Sequence, residues 1–304
     1  MSYGMQFLVI CVLVVLGCGK VTLQGRVSRA HVRNAADSVL FNAKLFLVMA
    51  AVLALVLPLG QINFEGILIA LAGAAATFLF QTVYALALRC GPVSLSVLIV
   101  NFGSILITAF SVITYREPVY LTHLVGIACL IVSMLLSVKK DENERGISAK
   151  WLVLIFCAML MTSLGTIIMK IFVKSYGVAI ENSENTYVVW VYVFASALAF
   201  LYYAISSHVG KKQKNTYGFF NKFVWLYALA IGIVLGAYQK FYMIGMEYID
   251  GGFMFPTYAG MNSLLMTVIG VVLFKDKLSL RQKVGIAFGI GCVVLMNVRF
   301  MELF

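Results

Sequence analysis

A cation, an amide or a phenol inside an apolar helix has to face protein or water, because hydrocarbon offers it no hydrogen-bond partner. The chain carries a small set of such groups. Lys240 stands within the apolar run 223–246, with Tyr238, Gln239 and Tyr242 beside it. Gln81 and Tyr84 lie one helical turn apart in the run 66–88, and Asn101 lies in the run 93–114. Tyr258 and Asn262, four residues apart in the run 253–274, share one helix face. Lys20 and Lys170 come late in the first apolar run and in the run 151–173. Side chains of these types bind a polar solute by hydrogen bonds and charge, and nothing in the chain nominates a nucleophile or an acid–base pair. All eight are candidate substrate-binding residues.

Each also has a plainer reading. Lys240 is about six positions from its helix end, within reach of a snorkelling lysine stem. Lys20 and Lys170 lie nearer their helix ends, so for them snorkelling is the favoured reading. Asn101, Tyr258 and Asn262 can equally join helices through hydrogen bonds of about 0.6–2 kcal/mol. Tyr187 and Trp190, at the start of another apolar run, suit an interfacial aromatic belt better than a ligand cage. Pro256 and Gly260 either loosen their helix as a gate or allow close packing.

Catalysis, metal and cofactor chemistry find no support. Gly17-Cys18-Gly19-Lys20 looks like a phosphate loop, but Val14 occupies the position of the upstream glycine and Val21 follows where Ser or Thr is needed. His31, His123 and His208 are scattered without ligand spacing. The six cysteines contain no C-x-x-C pair and suit packing. Glu65, Glu117, Glu247, Asp250 and Asp276 all fall near helix ends. A proton-coupled antiporter usually places a carboxylate in its pathway, so this pattern favours a facilitator or exchanger, with any coupling ion unspecified.

The elements that must position these groups are membrane helices. Of 304 residues, 62% are apolar and only 12% charged, with a mean hydropathy of +0.98; a soluble domain has roughly a quarter of its residues charged. The apolar runs allow about ten helices of the ~20 residues that a bilayer requires. The net charge of +11 is spread over short loops, the pattern of cytoplasmic loops and not of a nucleic-acid-binding stripe.

The chain also writes one pattern twice. Tyr115–Val138 and Phe274–Asn297 align without a gap at an offset of 159, and both contain Val-Gly-Ile-Ala, at 125–128 and 284–287. At the same offset Gly73 meets Gly232 and Gln81 meets Lys240; at an offset of 150, Lys20 meets Lys170. The expected architecture is therefore all-α and integral to the membrane, with ten transmembrane helices in two five-helix repeats, 1–138 and 151–304. A charged linker, 139–150, joins them. An odd number of helices per half makes the second copy enter from the opposite side, giving inverted repeats. The first apolar run is kept as a mature helix, since it lacks a cationic start and a clear cleavage site. Cations concentrate in the loops after helices 1, 3, 5, 7 and 9, which places both termini outside. On this reading Arg116, Glu117 and Asp276 lie at the membrane surface.

The turn Arg116-Glu117 followed by Gly126, its copy Lys275-Asp276 followed by Gly285, and Lys20 and Lys170 resemble the drug/metabolite transporter superfamily, and within it the EamA-like transporter family. Asp276 replaces the glutamate that many members carry. The resemblance implies a ten-helix bundle in the plasma (inner) membrane that moves small organic solutes, such as amino acids or metabolites, frequently outward. Expected partners are the solute and the lipid bilayer, with the chain a monomer or homodimer; no cofactor and no nucleic acid are implied. A drug or lipid-like flippase is the alternative within transport. A polytopic membrane enzyme or a sensor is the alternative outside it, but the loops are too short and too poor in Asp, His and Arg for the first, and the second would add a soluble domain.

Overall fold

The computed structural model describes residues 3–31, 35–90, 99–118, 120–137, 148–177, 180–209, 222–274 and 280–296. Ten α-helices fill almost all of them: α1 (Tyr3–His31), α2 (Ala35–Val56), α3 (Phe64–Cys90), α4 (Gly103–Tyr115), α5 (Leu121–Ser137), α6 (Ala149–Phe172), α7 (Ser183–Val209), α8 (Lys222–Tyr248), α9 (Gly251–Phe274) and α10 (Leu280–Met296). One π-helical turn, Val173–Gly177, prolongs α6. Five of the helices are long and apolar enough to cross a bilayer, and α1, α4, α5 and α10 supply shorter apolar stretches. Large apolar side chains such as Leu55, Phe64 and Ile113 face outward. An exterior of this kind is stable against lipid and not against water.

Local chemistry sets several helix ends. Ser148 has extended backbone angles, and its hydroxyl accepts from the Trp151 N–H at 3.2 Å, capping α6. Asn63 Oδ1 accepts from Gly66 N–H at 2.9 Å at the start of α3. Helix α4 ends at Arg116, whose φ of 50° is left-handed. This reverses the chain within one residue, as a C-terminal cap does.

Three helix boundaries depart from expectation. α1 continues to His31, so Arg26 and Arg29 extend the helix instead of forming a connector. α4 proper begins only at Gly103, and 91–98 lie outside the described residues. The charged linker ends at Ser148, where capping starts α6; 138–147 are outside the described residues. So are 275–279, with Lys275, Asp276 and Lys277.

Helix packing pairs helices from the first five with helices from the last five. α5 packs on α10, α2 on α7 and α4 on α9. α3 packs on α6 as α8 packs on α1, α3 on α7 as α8 on α2, and α4 on α6 as α9 on α1. In the α5–α10 pair, Gly126 and Gly285 are both buried, so small residues allow the helices to approach closely.

At one end of the bundle the connections between α2 and α3 and between α6 and α7 are joined. Gly60 N–H donates to Asn182 O at 3.2 Å, Thr186 Oγ1 to Gly60 O at 2.8 Å, and Asn185 Nδ2 to Pro58 O at 2.8 Å. The contact leaves no room for a side chain at position 60, because a Cβ there would run into the Glu181 carbonyl. Gly60→Ala is expected to cost about 1–3 kcal/mol through overpacking, measured by thermal unfolding in detergent. Leu59→Ala, at a half-exposed neighbour, should stay within about 0.5 kcal/mol of the parent.

Candidate functional site

A cavity of about 260 Å³ lies between the helices, lined from both halves of the chain. From the first half come Lys20 on α1, Gln81 and Tyr84 on α3, Asn101 just before α4, and Ser104 on α4. The second half supplies Thr162 and Thr166 on α6, Tyr187 and Tyr192 on α7, Tyr238, Gln239 and Tyr242 on α8, and Tyr258 and Asn262 on α9.

Six of the eight candidate residues therefore line one space: Lys20, Gln81, Tyr84, Asn101, Tyr258 and Asn262. Lys170 and Lys240 do not. At 3.6 residues per turn, Lys240 sits about 200° around α8 from Tyr238, whereas Tyr242 returns to within about 40° of it. Lys240 Nζ donates instead to Asn185 Oδ1 at 2.7 Å and pairs with Glu184 Oε1 at 3.2 Å, at the end of the bundle where α7 begins.

The tyrosines organise the cavity wall. Tyr238 and Tyr242 stack at 5.4 Å, and Tyr258 meets Tyr242 edge-on at 6.2 Å. Tyr238 and Tyr258 share a hydroxyl hydrogen bond of 3.2 Å. Gln239 is held by Tyr192, whose hydroxyl donates to its Oε1 at 3.3 Å. Tyr187 was expected in an interfacial belt, but it is buried in the wall and stacks on Phe172 at 4.2 Å. The Lys20 ammonium lies 5.0 Å from the Tyr238 ring centroid, and Asn262 Oδ1 accepts from the Cys18 thiol at 3.2 Å.

Several polar groups remain unused. The Gln81 and Asn101 amides make no hydrogen bond among the described residues, and Ser104 Oγ is buried without a partner. Among the described residues no three His, Cys, Asp or Glu side chains come together as a metal would need.

Lys170 and Glu117 form the second feature. Glu117, expected at the membrane surface, is 7% exposed, and Lys170 is fully buried. The left-handed turn at Arg116 points the next residue back into the protein, where Lys170 Nζ donates to Glu117 Oε1 at 2.7 Å and Oε2 at 2.9 Å, and to Ser111 Oγ at 2.8 Å. Gly251 N–H, at the start of α9, donates to Glu117 Oε2 at 2.6 Å. Tyr115 and Phe255 place their ring centroids 5.7 and 5.4 Å from the ammonium. A Cβ at position 251 would fall 2.8 Å from Lys170 Nζ and from Ser111 Cβ, so glycine lets α9 start against the pair without displacing it. The pair joins the two halves at the same end as the Gly60–Asn182 contact, since Glu117, Gly251 and Lys174 all lie at connections on that end. There Lys174 Nζ donates to Glu247 O at 3.0 Å.

These features define a polytopic membrane protein with a polar, aromatic-lined cavity between two halves. The EamA-like transporter family model matches residues 149–298, so the second half of the chain is similar to that family. That family is one of membrane transporters of small solutes and not of enzymes. A solved structure titled only "Crystal structure of protein" shares the fold, with a TM-score of 0.70 and 16% identity, over 97% of this chain and 96% of that one. No curated protein matches the chain in sequence.

Removing one member of a buried ion pair strands the other, at a cost of about 3–5 kcal/mol. Lys170→Met alone should therefore destabilise the protein by about that amount, and Lys170→Met with Glu117→Leu should recover much of it. A double-mutant cycle of unfolding free energies in detergent checks this. Additive losses would show that the pair is not coupled.

Proposed function

We propose that the 260 Å³ cavity is the solute site of an alternating-access transporter built from two inverted five-helix repeats, 1–138 and 151–304. The observation that carries the reading is the convergence of polar groups from both halves on one cavity, in a chain whose exterior is apolar. The exchange of packing partners between α1–α5 and α6–α10 supports a two-fold relation between the halves, and an odd number of helices in each half puts that axis in the membrane plane.

In this state the protein is closed toward the cation-poor face. Glu117–Lys170, Gly60–Asn182 and Asn185–Pro58 all cross between the halves at that end. Lys240, with Glu184 and Asn185, belongs to the same seal. Gln81, Tyr84, Asn101 and Lys20 lie toward the opposite end, which the positive-inside rule assigns to the cytoplasm. The solute thus enters from the cytoplasm, and outward movement of a metabolite across the plasma (inner) membrane is the direction the family resemblance implies. Rocking one half against the other requires the seal contacts to part and the site to open outward.

Proteoliposomes containing the purified chain test the reading against a panel of amino acids, sugars, nucleosides, organic cations and organic carboxylate anions. At least one class should show flux and thermal stabilisation. Gln81→Leu and Asn262→Leu should each lower that flux by roughly tenfold or more, as loss of a buried hydrogen bond to solute does, with unfolding unchanged. Lys240→Met should alter the rate but leave solute stabilisation in place. No flux and no stabilisation across the panel would overturn the proposal.

A further inference from the structure

We infer that the solute this cavity selects is a small organic anion, a carboxylate attached to a flat apolar body, with Lys20 as its counter-ion. The inference rests on the cavity being the solute site and adds the charge class of what enters it.

Two lysines occupy matching places in the repeat, and their surroundings differ. Lys170 is neutralised by Glu117 and further held by Ser111. Lys20 lines the cavity, and among the described residues it has no carboxylate within ion-pair distance; its one contact of this kind is the face of Tyr238. Among the described residues the cavity lining contains no aspartate or glutamate. A cation facing a partly dehydrated cavity without an anion carries a desolvation cost that a ring face offsets only in part. A bound anion removes that cost.

The other groups suit the same ligand. The unpartnered Gln81 and Asn101 amides and Ser104 hydroxyl can donate to carboxylate oxygens. Tyr242 and Tyr258 present ring surface beside Lys20's partner Tyr238, which accommodates a flat apolar body. A cationic solute would meet like charge at Lys20, with no acid in the lining to balance it. A neutral solute would leave the ammonium uncompensated.

Three probes of one shape separate the charge classes at neutral pH: phenylacetate (anion), phenylacetamide (neutral) and phenethylamine (cation). Binding is read by isothermal titration on the full chain in nanodiscs, with empty nanodiscs subtracted. Phenylacetate should bind at least roughly tenfold more tightly than the other two, as expected for a hydrogen-bonded charge pair. Lys20→Met should erase that preference, and Lys20→Arg should keep it. Because the ammonium is uncompensated without solute, Lys20→Met should leave the melting temperature of the unliganded chain unchanged or higher, whereas removal of a structural, paired lysine would lower it. Preference for phenethylamine, or a phenylacetate preference that survives Lys20→Met, would overturn the inference. If phenethylamine binds and Asn262→Leu abolishes it, the solute cavity stands and only the anion assignment falls. If none of the three binds in a manner sensitive to cavity substitutions, both fall.

Discussion

A lysine with no exposure to solvent, bonded to a carboxylate at 2.7 Å, dominates the electrostatics of one end of this bundle. Neither charge is tolerable there alone. Ser111, the Gly251 N–H and the rings of Tyr115 and Phe255 complete the shell, so the pair fixes where α4 ends, where α9 begins and how α6 lies between them. Since Glu117 and Lys170 come from different halves, the same contact holds the halves together. The neighbouring backbone contacts at Gly60 and Asn182 add geometry but no charge.

The rest of the bundle divides polar from apolar surface in the reverse sense of a soluble protein. Leu55, Phe64 and Ile113 point outward, while threonines, amides and tyrosines converge inward on the cavity. Lipid drives this arrangement, because polar groups gain nothing by facing hydrocarbon and must find one another or enclosed water. A cavity rimmed by polar groups that do not fully satisfy one another, as with Gln81, Asn101 and Ser104, is poised to receive hydrogen bonds from outside the protein. The same physics that closes the Lys170 site leaves the Lys20 site open: one lysine has an acid within reach and the other has tyrosine.

How much of the site was legible in the sequence varies by residue. Gln81 with Tyr84, and Tyr258 with Asn262, are spaced so that a single helix face carries both, and each pair lines the cavity. Tyr238 and Tyr242 have that spacing too; taking Lys240 as the centre of the group put weight on the opposite side of α8, where the residue bonds to Asn185 and Glu184. Tyr187 gave the signal of an interfacial aromatic, because proximity to a helix end looks the same whether the side chain turns toward lipid or toward the bundle. Thr162, Thr166 and Tyr192 gave little signal, since threonine and tyrosine are common in membrane helices.

By itself the sequence determined the membrane class, the apolar helices, a pattern written twice and the family resemblance, because these depend on composition, run length and self-similarity along the chain. Only the tertiary structure decided that Glu117 is internal, that Lys170 is its partner, and that Lys20 faces a cavity. The physical reason is that charge burial is a relation between distant segments. Residues 117 and 170 are 53 positions apart, and nothing local to either states which side of its helix end the other will occupy. The left-handed turn at Arg116 settles that direction, and a left-handed arginine is not a feature that residue type announces.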